Sequence, residues 1–369
     1  MNTLLELLEI QLPIIQAPMA GVSTPAMAAA VSNAGGLGSI GVGAAGAEGG
    51  GEMIRATQAL TTNSFNVNVF CHTPATANAE REAAWISTLT PYFEKHHAQP
   101  PTKLQEIYKS FNDDDRLLEI LLELRPKVVS FHFGLPSADK IRRLKEAGVV
   151  LFASATNLEE GVQIAKAGID AVVAQGFEAG GHRGMFDPGK TDNCLGMATL
   201  TRLLVSKLDI PVIAAGGIMD GAGIAACLAL GAQAAQLGTA FIGCPESSAD
   251  KYFRAALQSD AAANTVMTRS ISGRPARCLP NLFTAMGQEV DQSTIPDYPI
   301  AYDAGKALNS VAKESGQGGY GAQWAGQGAP LARSMPAADL IARLKIEMEA
   351  TFSERKASIK SLDAGEVVD

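Results

Sequence analysis

The sequence predicts an α/β fold: eight parallel strands closed into a (β/α)8 TIM barrel, with a smaller inserted or C-terminal cap region. Three observations predict the barrel. Eight short apolar runs alternate with helical stretches between residues 13 and 241, the pattern of a parallel sheet covered by helices. Three junctions repeat one device, Lys-Glu-Ala-Gly148, Ala-Lys-Ala-Gly168 and Leu-Ala-Leu-Gly231, each running straight into a strand. Glycine at such a point ends a helix in the left-handed region. Beyond residue 242 the alternation stops. An open doubly wound sheet is the alternative, weakened because no Gly-x-Gly-x-x-Gly follows the first strand.

Taken in order, residues 13–19 form the first strand. Thr24-Pro25 then supplies a cap and a proline at the first helical position. The alanine-rich helix that follows ends at Gly35-Gly36, residues 37–41 form the second strand, and 47–60 are helical. The third strand, 65–70, places Asn66 and Asn68 on one side by its period of two. The long connection 71–125 holds a helix near 75–89, a Pro/His/Gln-rich loop and a helix near 114–124; such elaborated loops often carry function. Strands four and five are 128–133 and 149–155, with a helix opening at Ser137 between them. Asn157 and Glu160 then have capping-box spacing. Residues 171–176, 211–216 and 234–241 complete the eight. Segment 260–300 lacks a clean period, 300–312 reads as helix, and 315–330 is a Gly/Gln-rich loop with Tyr320 and Trp324. Residues 336–360 form an amphipathic helix expected on the barrel's outside. The resulting division is a barrel at 1–245, a cap at 246–335 and a C-terminal helix at 336–369.

The chain of 369 residues is long enough for a sizeable core. With 47% hydrophobic and only 18% charged residues it is globular rather than disordered. A net charge of -8 argues against nucleic-acid binding, yet leaves room for an anionic substrate at a locally positive site. The five cysteines are odd in number, scattered and never paired as C-x-x-C. Free thiols in a reducing compartment fit that better than disulfides or zinc. The first residues carry Glu6 and Glu9 without a basic stretch, unlike a secretory signal, and no run has the length of a membrane span. A cytoplasmic protein without membrane or nucleic-acid partners is expected; its oligomeric state is not legible.

Residues just past the strands of such a barrel face one mouth. Here they are Gln16 with Ala17, Pro18 and Met19, then Asn68, His132, Ser154, and Gln175 with Gly180, Gly181 and His182. Gly216, Gly217, Gln236, Leu237, Gly238 and Thr239 complete the set. It is polar, uncharged and glycine-rich, with no cluster at metal spacing, so no catalytic metal is expected. Backbone N–H groups and helix N-termini at loops seven and eight suit a phosphate. The amides of Asn68, Gln175 and Gln236 suit the edge of a flat heterocycle. Together they indicate FMN, which supplies chemistry the side chains lack; the competing reading is a set of barrel-closing turns. Paired glycines before His182 let backbone approach a ligand, and histidine is readily tuned for proton work. Tyr302 and Lys306 share one face of a helix. His132, in Phe-His-Phe, is either a packed residue or a second imidazole at the mouth. His72 is a further candidate for the mouth. Arg183 either orients an anion or makes an exposed salt bridge.

Gln16-Ala-Pro-Met-Ala-Gly-Val-Ser-Thr-Pro25, Glu178-Ala-Gly-Gly-His-Arg-Gly184, Ala215-Gly-Gly217 and Gln236-Leu-Gly-Thr239 together resemble the nitronate monooxygenases, formerly called 2-nitropropane dioxygenases. The resemblance spans almost the whole chain. It implies FMN held by Asn68, Gln175, Gly180, Gly217 and Gln236 to Thr239, with His182 as the catalytic residue. It also implies oxidation of alkyl nitronates, notably propionate 3-nitronate, with neutral nitroalkanes as a further substrate class, by dioxygen, with release of nitrite and a carbonyl product. Tyr298, Tyr302 and Lys306 match the active-site tyrosines and lysine of the first, oxygen-using class, and Tyr108 joins them. The rivals are FMN-dependent, NAD(P)H-using enoyl-acyl-carrier-protein or quinone reductases built on the same barrel. A non-catalytic flavin-binding protein is the reading from a different class.

Overall fold

A computed structural model of the chain describes residues 3–363. The barrel strands are β1 (Ile14–Gln16), β2 (Gly38–Gly41), β3 (Phe65–Phe70), β4 (Val128–His132), β5 (Val150–Ala155) and β6 (Ala171–Gln175). After a two-residue strand outside the barrel, β7 (Gly181–His182), come β8 (Val212–Ala215) and β9 (Ala234–Leu237). They form one parallel sheet in the order β1-β9-β8-β6-β5-β4-β3-β2. A parallel bridge between Ile15 and Leu37 joins its two edges, closing the barrel. The expected eighth strand is shorter than its apolar run. The chain leaves the sheet at Gly238 and makes a 3-10 turn, Thr239–Phe241, where the Thr239 hydroxyl accepts the Gly326 N–H at 2.9 Å.

Alternation along the strands divides the core. Val150 and Phe152 point into the barrel with Ile15, Val173 and Ile213, whereas Leu151, Ala153 and Ala155 face the helices. The barrel's lower end is closed by α1 (Thr3–Leu8), which buries Leu4 and Leu8 against those interior residues. The surrounding helices are α2 (Pro25–Asn33), α3 (Gly46–Leu60), α4 (Ala79–Glu94), α5 (Asp115–Leu124), α6 (Ala138–Glu146), α7 (Leu158–Lys166), α8 (Met197–Val205) and α9 (Gly221–Ala229). Thr24 caps α2 through the Met27 N–H, with Pro25 at the first position as the sequence requires. The helix expected near 75–89 begins later, because Asn78 is its cap. Asn157 caps α7, but Glu160 turns its carboxylate to the Thr156 N–H and hydroxyl, so the capping box is half made.

The remaining elements are α10 (Lys251–Leu257), β10 (Val266–Thr268), β11 (Ala276–Cys278), α11 (Leu282–Glu289), α12 (Ile300–Glu314) and α13 (Ala337–Asp363). β11 pairs antiparallel with both β10 and β7, setting Ala276 opposite His182. The apolar cluster above the mouth joins Trp85, Leu89 and Phe93 of α4 to Phe283, Ile300 and Leu308. Two separate stretches of chain therefore share one cap core. As expected, α13 lies on the barrel's outside, with Leu340, Ile341, Leu344 and Met348 packed against Val31 and Ile224. Among the described residues no helix is long and apolar enough to cross a membrane, and all five cysteines are free.

Candidate active site

A cavity of about 580 Å³ opens at the C-terminal ends of the strands beneath the cap, within the range of cofactor and small-ligand sites. Ala17, Pro18, Met19, Asn68, Gln175, Gly180, Gly181, His182, Gly216, Gly217, Gln236, Gly238 and Thr239 all line it. So do Tyr108, His132, Tyr298, Tyr302 and Lys306. Leu237 does not: the period of two turns its side chain outward, into the cluster with Ile14 and Phe241. His72 is buried behind the wall, its ring edge-on to Tyr298 at 5.1 Å.

The loop between β6 and β7 is held from within. Gln175 donates to the His182 carbonyl at 2.9 Å and accepts the Gly184 N–H at 2.7 Å. Arg183 is neither an anion clamp at the mouth nor an exposed ion pair. Its guanidinium is buried, pairs with Asp192 at 2.7 Å and donates to the carbonyls of Gln175 and Gly176. Glu178 accepts the Met197 N–H with both oxygens and so caps α8 from outside the helix. Gly180 is required by close approach, since a Cβ there would lie 2.5 Å from the Gly326 nitrogen. These contacts place His182 where β7 meets the cap sheet.

His182 bonds through Nε2 to the Ser272 hydroxyl at 2.8 Å. Around it stand Trp324, Tyr298, Phe133 and Tyr302, with ring centroids at 5.0, 5.3, 5.6 and 6.2 Å. Burial, then the nearby Arg274 charge, holds His182 well below the usual imidazole range, so it is neutral at physiological pH. His132, between Ser154 and the His182 carbonyl, is held down to about 4 by the same two causes. Burial pushes Tyr302 up to about 12, and Tyr298 and Tyr108 upward as well. All three phenols therefore stay hydrogen-bond donors. Lys306 sits 4.7 Å from the Tyr108 ring centroid and 5.4 Å from that of Tyr302, its ammonium at the edge of the same box.

The opposite wall suits a flat, phosphorylated group. Asn68 donates to the Ser130 carbonyl and hydroxyl, at 3.1 and 2.9 Å. A carbonyl can only accept, so the amide nitrogen must face it and the Asn68 oxygen is left for a ligand N–H. Gln236 lines the cavity with its amide uncommitted among the described residues. The helix N-terminus expected to offer N–H groups after β8 is already satisfied: Asp220 caps α9, and Glu347 takes the Gly221 N–H. Among the described residues, N–H groups without a hydrogen-bond partner lie instead at Gly217, which holds φ +70°, and at Gly238. Among the described residues no group of His, Cys, Asp or Glu is placed to hold a metal ion.

Sequence reasoning missed several residues here. Trp324 was visible only as an aromatic in a Gly/Gln-rich loop; it reaches His182 because it bridges to Cys278 of β11. Phe133, Ser272 and Arg274 carry no local signal, and only the cap's pairing with β7 brings the last two to the site.

With this geometry the comparisons with known proteins agree. The nitronate monooxygenase family model matches residues 1–347. A nitronate monooxygenase of Paraburkholderia phytofirmans is 61% identical over 96% of both chains. One of Pseudomonas aeruginosa is 53% identical over 93% of this chain and 97% of its own. The crystal structure of nitroalkane oxidase from Streptomyces ansochromogenes superposes with a TM-score of 0.86 at 38% identity, covering 95% of this chain and 99% of that one. The chain belongs to the flavin-dependent nitronate monooxygenase family.

Proposed function

We propose that this chain oxidises alkyl nitronates, with propionate 3-nitronate as the leading substrate, using FMN and dioxygen and releasing nitrite and a carbonyl product. Family membership supports the reaction class, and one observation carries the assignment of the site. A neutral imidazole, His182, faces the cavity inside a box of four aromatic rings, with the Lys306 ammonium at its edge.

The residues present fit FMN. The Asn68 oxygen and the Gln236 amide suit the edge of its ring, and the N–H groups near Gly217 and Gly238 suit its phosphate. Ala17 to Met19, Gly180, Gly181, Gly216 and Thr239 complete that wall. The chemistry supplied by a bound FMN is acceptance of electrons from the nitronate carbon, with dioxygen as the terminal oxidant.

The chain's own residues bind and orient. The phenols of Tyr108, Tyr298 and Tyr302 donate to the nitronate oxygens, and Lys306 adds positive potential. With a neutral nitroalkane, His182 takes the α-proton as general base. The units we propose are a barrel at 1–245, a cap at 246–335 that shares its core with α4 and supplies Tyr298, Tyr302 and Lys306, and a C-terminal helix at 336–369, of which residues 364–369 lie outside the described residues.

The test is optical and gasometric. Purified protein should show the visible bands of an oxidised flavin, bleach under nitrogen on adding propionate 3-nitronate, and consume dioxygen with it. Bleaching by NADH but not by the nitronate would assign the site to a reductase.

A further inference from the structure

The guanidinium of Arg274 is a buried cation without a counter-ion. It is 3% exposed. Among the described residues it makes no ion pair, donates to the Met185 carbonyl, and leaves Nε without any partner. Burying an unpaired charge is strongly unfavourable, so its presence calls for a balancing charge. No acid pairs with it directly: Glu160 and Asp187 favour its charge only from a distance, their carboxylates being bonded to Thr156, Phe186 and Gly189.

Position suggests where the balance comes from. The guanidinium carbon lies 4.2 Å from the Phe133 ring centroid. That ring lines the cavity, 5.6 Å from His182 and 5.4 Å from Tyr298. One aromatic ring therefore separates the cation from the space beside His182. Main chain ties the two together as well, since the Ser272 hydroxyl that meets His182 also meets the Arg274 carbonyl at 3.3 Å and N–H at 3.5 Å.

We propose that Arg274 is a specificity-determining residue, the fixed positive charge that makes the cavity prefer an anion over its neutral conjugate acid. The proposal rests on the nitronate reading only for the identity of that anion. Its field acts through the thickness of Phe133 in a medium of low polarity, where a charge reaches farther than in water. The titratable and charged groups that interact with it are His132, His182 and Tyr298 at the cavity, His72 behind the cavity wall, and Arg269, Glu160 and Asp187. After burial, its charge is the next cause holding His72, His132 and His182 below their ordinary range. With those imidazoles neutral, Arg274 and Lys306 are the cations serving the anion. The two differ in that Lys306 is exposed and open to screening by salt.

The probe is inorganic nitrate, a planar O–N–O anion, titrated into the purified holoenzyme and read by flavin absorbance and tryptophan fluorescence. Neutral nitroethane, read the same way at low temperature under nitrogen, is the uncharged control. Arg274→Met should weaken nitrate about tenfold or more, at 0.5 M as at 0.05 M salt, and leave nitroethane within about twofold. Arg274→Lys should recover most of the nitrate affinity. Equal losses for both ligands, no loss for nitrate, a Lys variant no better than Met, or a wild type blind to nitrate would each overturn the proposal. A wild type that binds nitrate but does not oxidise nitronates would sink the functional reading and leave the Arg274 measurement standing. Thermal unfolding of each variant separates misfolding from loss of charge, because apolar replacement of a buried ion is often tolerated.

Discussion

His132 donates from Nε2 to the backbone carbonyl of His182, 3.2 Å away, and meets the Ser154 hydroxyl at Nδ1 at 3.0 Å. The carbonyl fixes the tautomer, because it can only accept. Gln175 donates to the same oxygen at 2.9 Å, so β4 and β6 together hold the main chain of the loop that carries His182. His132→Phe removes one of these two supports and leaves Ser154 without its partner. We expect a stability loss of about 1–2 kcal/mol and a several-fold lower kcat with cofactor still bound. Chemical denaturation and steady-state oxygen uptake check both; an unchanged kcat would make His132 a packing residue alone.

Acid should destabilise the fold in a defined window. His72 and His132 ionise at about 4 in the folded protein against 6.5 for the free side chain. Between those values the unfolded chain binds protons that the native state refuses, so stability falls as pH falls from about 6.5 to 4. Above 6.5 both groups are neutral in either state and this dependence vanishes. Each contributes at most about 3 kcal/mol across the window. Urea midpoints measured from pH 7.5 to 4.5 should decline steeply, and His72→Phe should flatten the curve. A profile equally steep in that variant would place the titrating group elsewhere.

How far the sequence led can be argued from particular residues. The eight strands were legible because alternating burial leaves buried runs bounded by glycines such as Gly148, Gly168 and Gly231, all at positive φ. The mouth residues followed from being next in the chain after those strands. Leu237 was included by adjacency and excluded by strand alternation. The α9 N-terminus was expected to offer free N–H groups, but Asp220 and, across the fold, Glu347 satisfy it. Glu347 lies 126 residues from Gly221, beyond any local pattern. The same holds for Ser272, which bonds to His182, and for Arg274 next to it, both placed by β11 pairing with β7. Tyr298, Tyr302 and Lys306 entered by family resemblance; helical spacing joined the last two but could not place them above His182.

Gly180 should tolerate no side chain. A Cβ there would meet the Gly326 nitrogen at 2.5 Å and the Ala325 carbonyl carbon at 2.6 Å, both main-chain atoms. Neither can move without parting the His182 loop from the cap. Gly180→Ala is expected to cost about 1–3 kcal/mol and to loosen the flavin, read as a higher cofactor dissociation constant. Gly148→Ala provides the contrast: it has positive φ but nothing within 4 Å, so it should cost about 1 kcal/mol with the cofactor held as before. Equal flavin loss in both variants would trace the effect to stability rather than to the loop–cap contact.

The two substrate classes should separate at His182. Its imidazole is neutral and its Nε2 is tied to Ser272, so it can accept a proton only if a substrate presents one. A nitronate has already lost its α-proton, whereas a nitroalkane has not. His182→Asn keeps a polar side chain of similar reach but removes the base. It should therefore lower kcat/KM for nitroethane by about a hundredfold or more, while pre-formed ethyl nitronate falls far less. Both rates can be followed by oxygen uptake on one preparation, adding the acid or its anion. Wild-type turnover of nitroethane by the variant would exclude His182 as the base. Equal loss for both substrates would instead make its role the binding of the nitro oxygens.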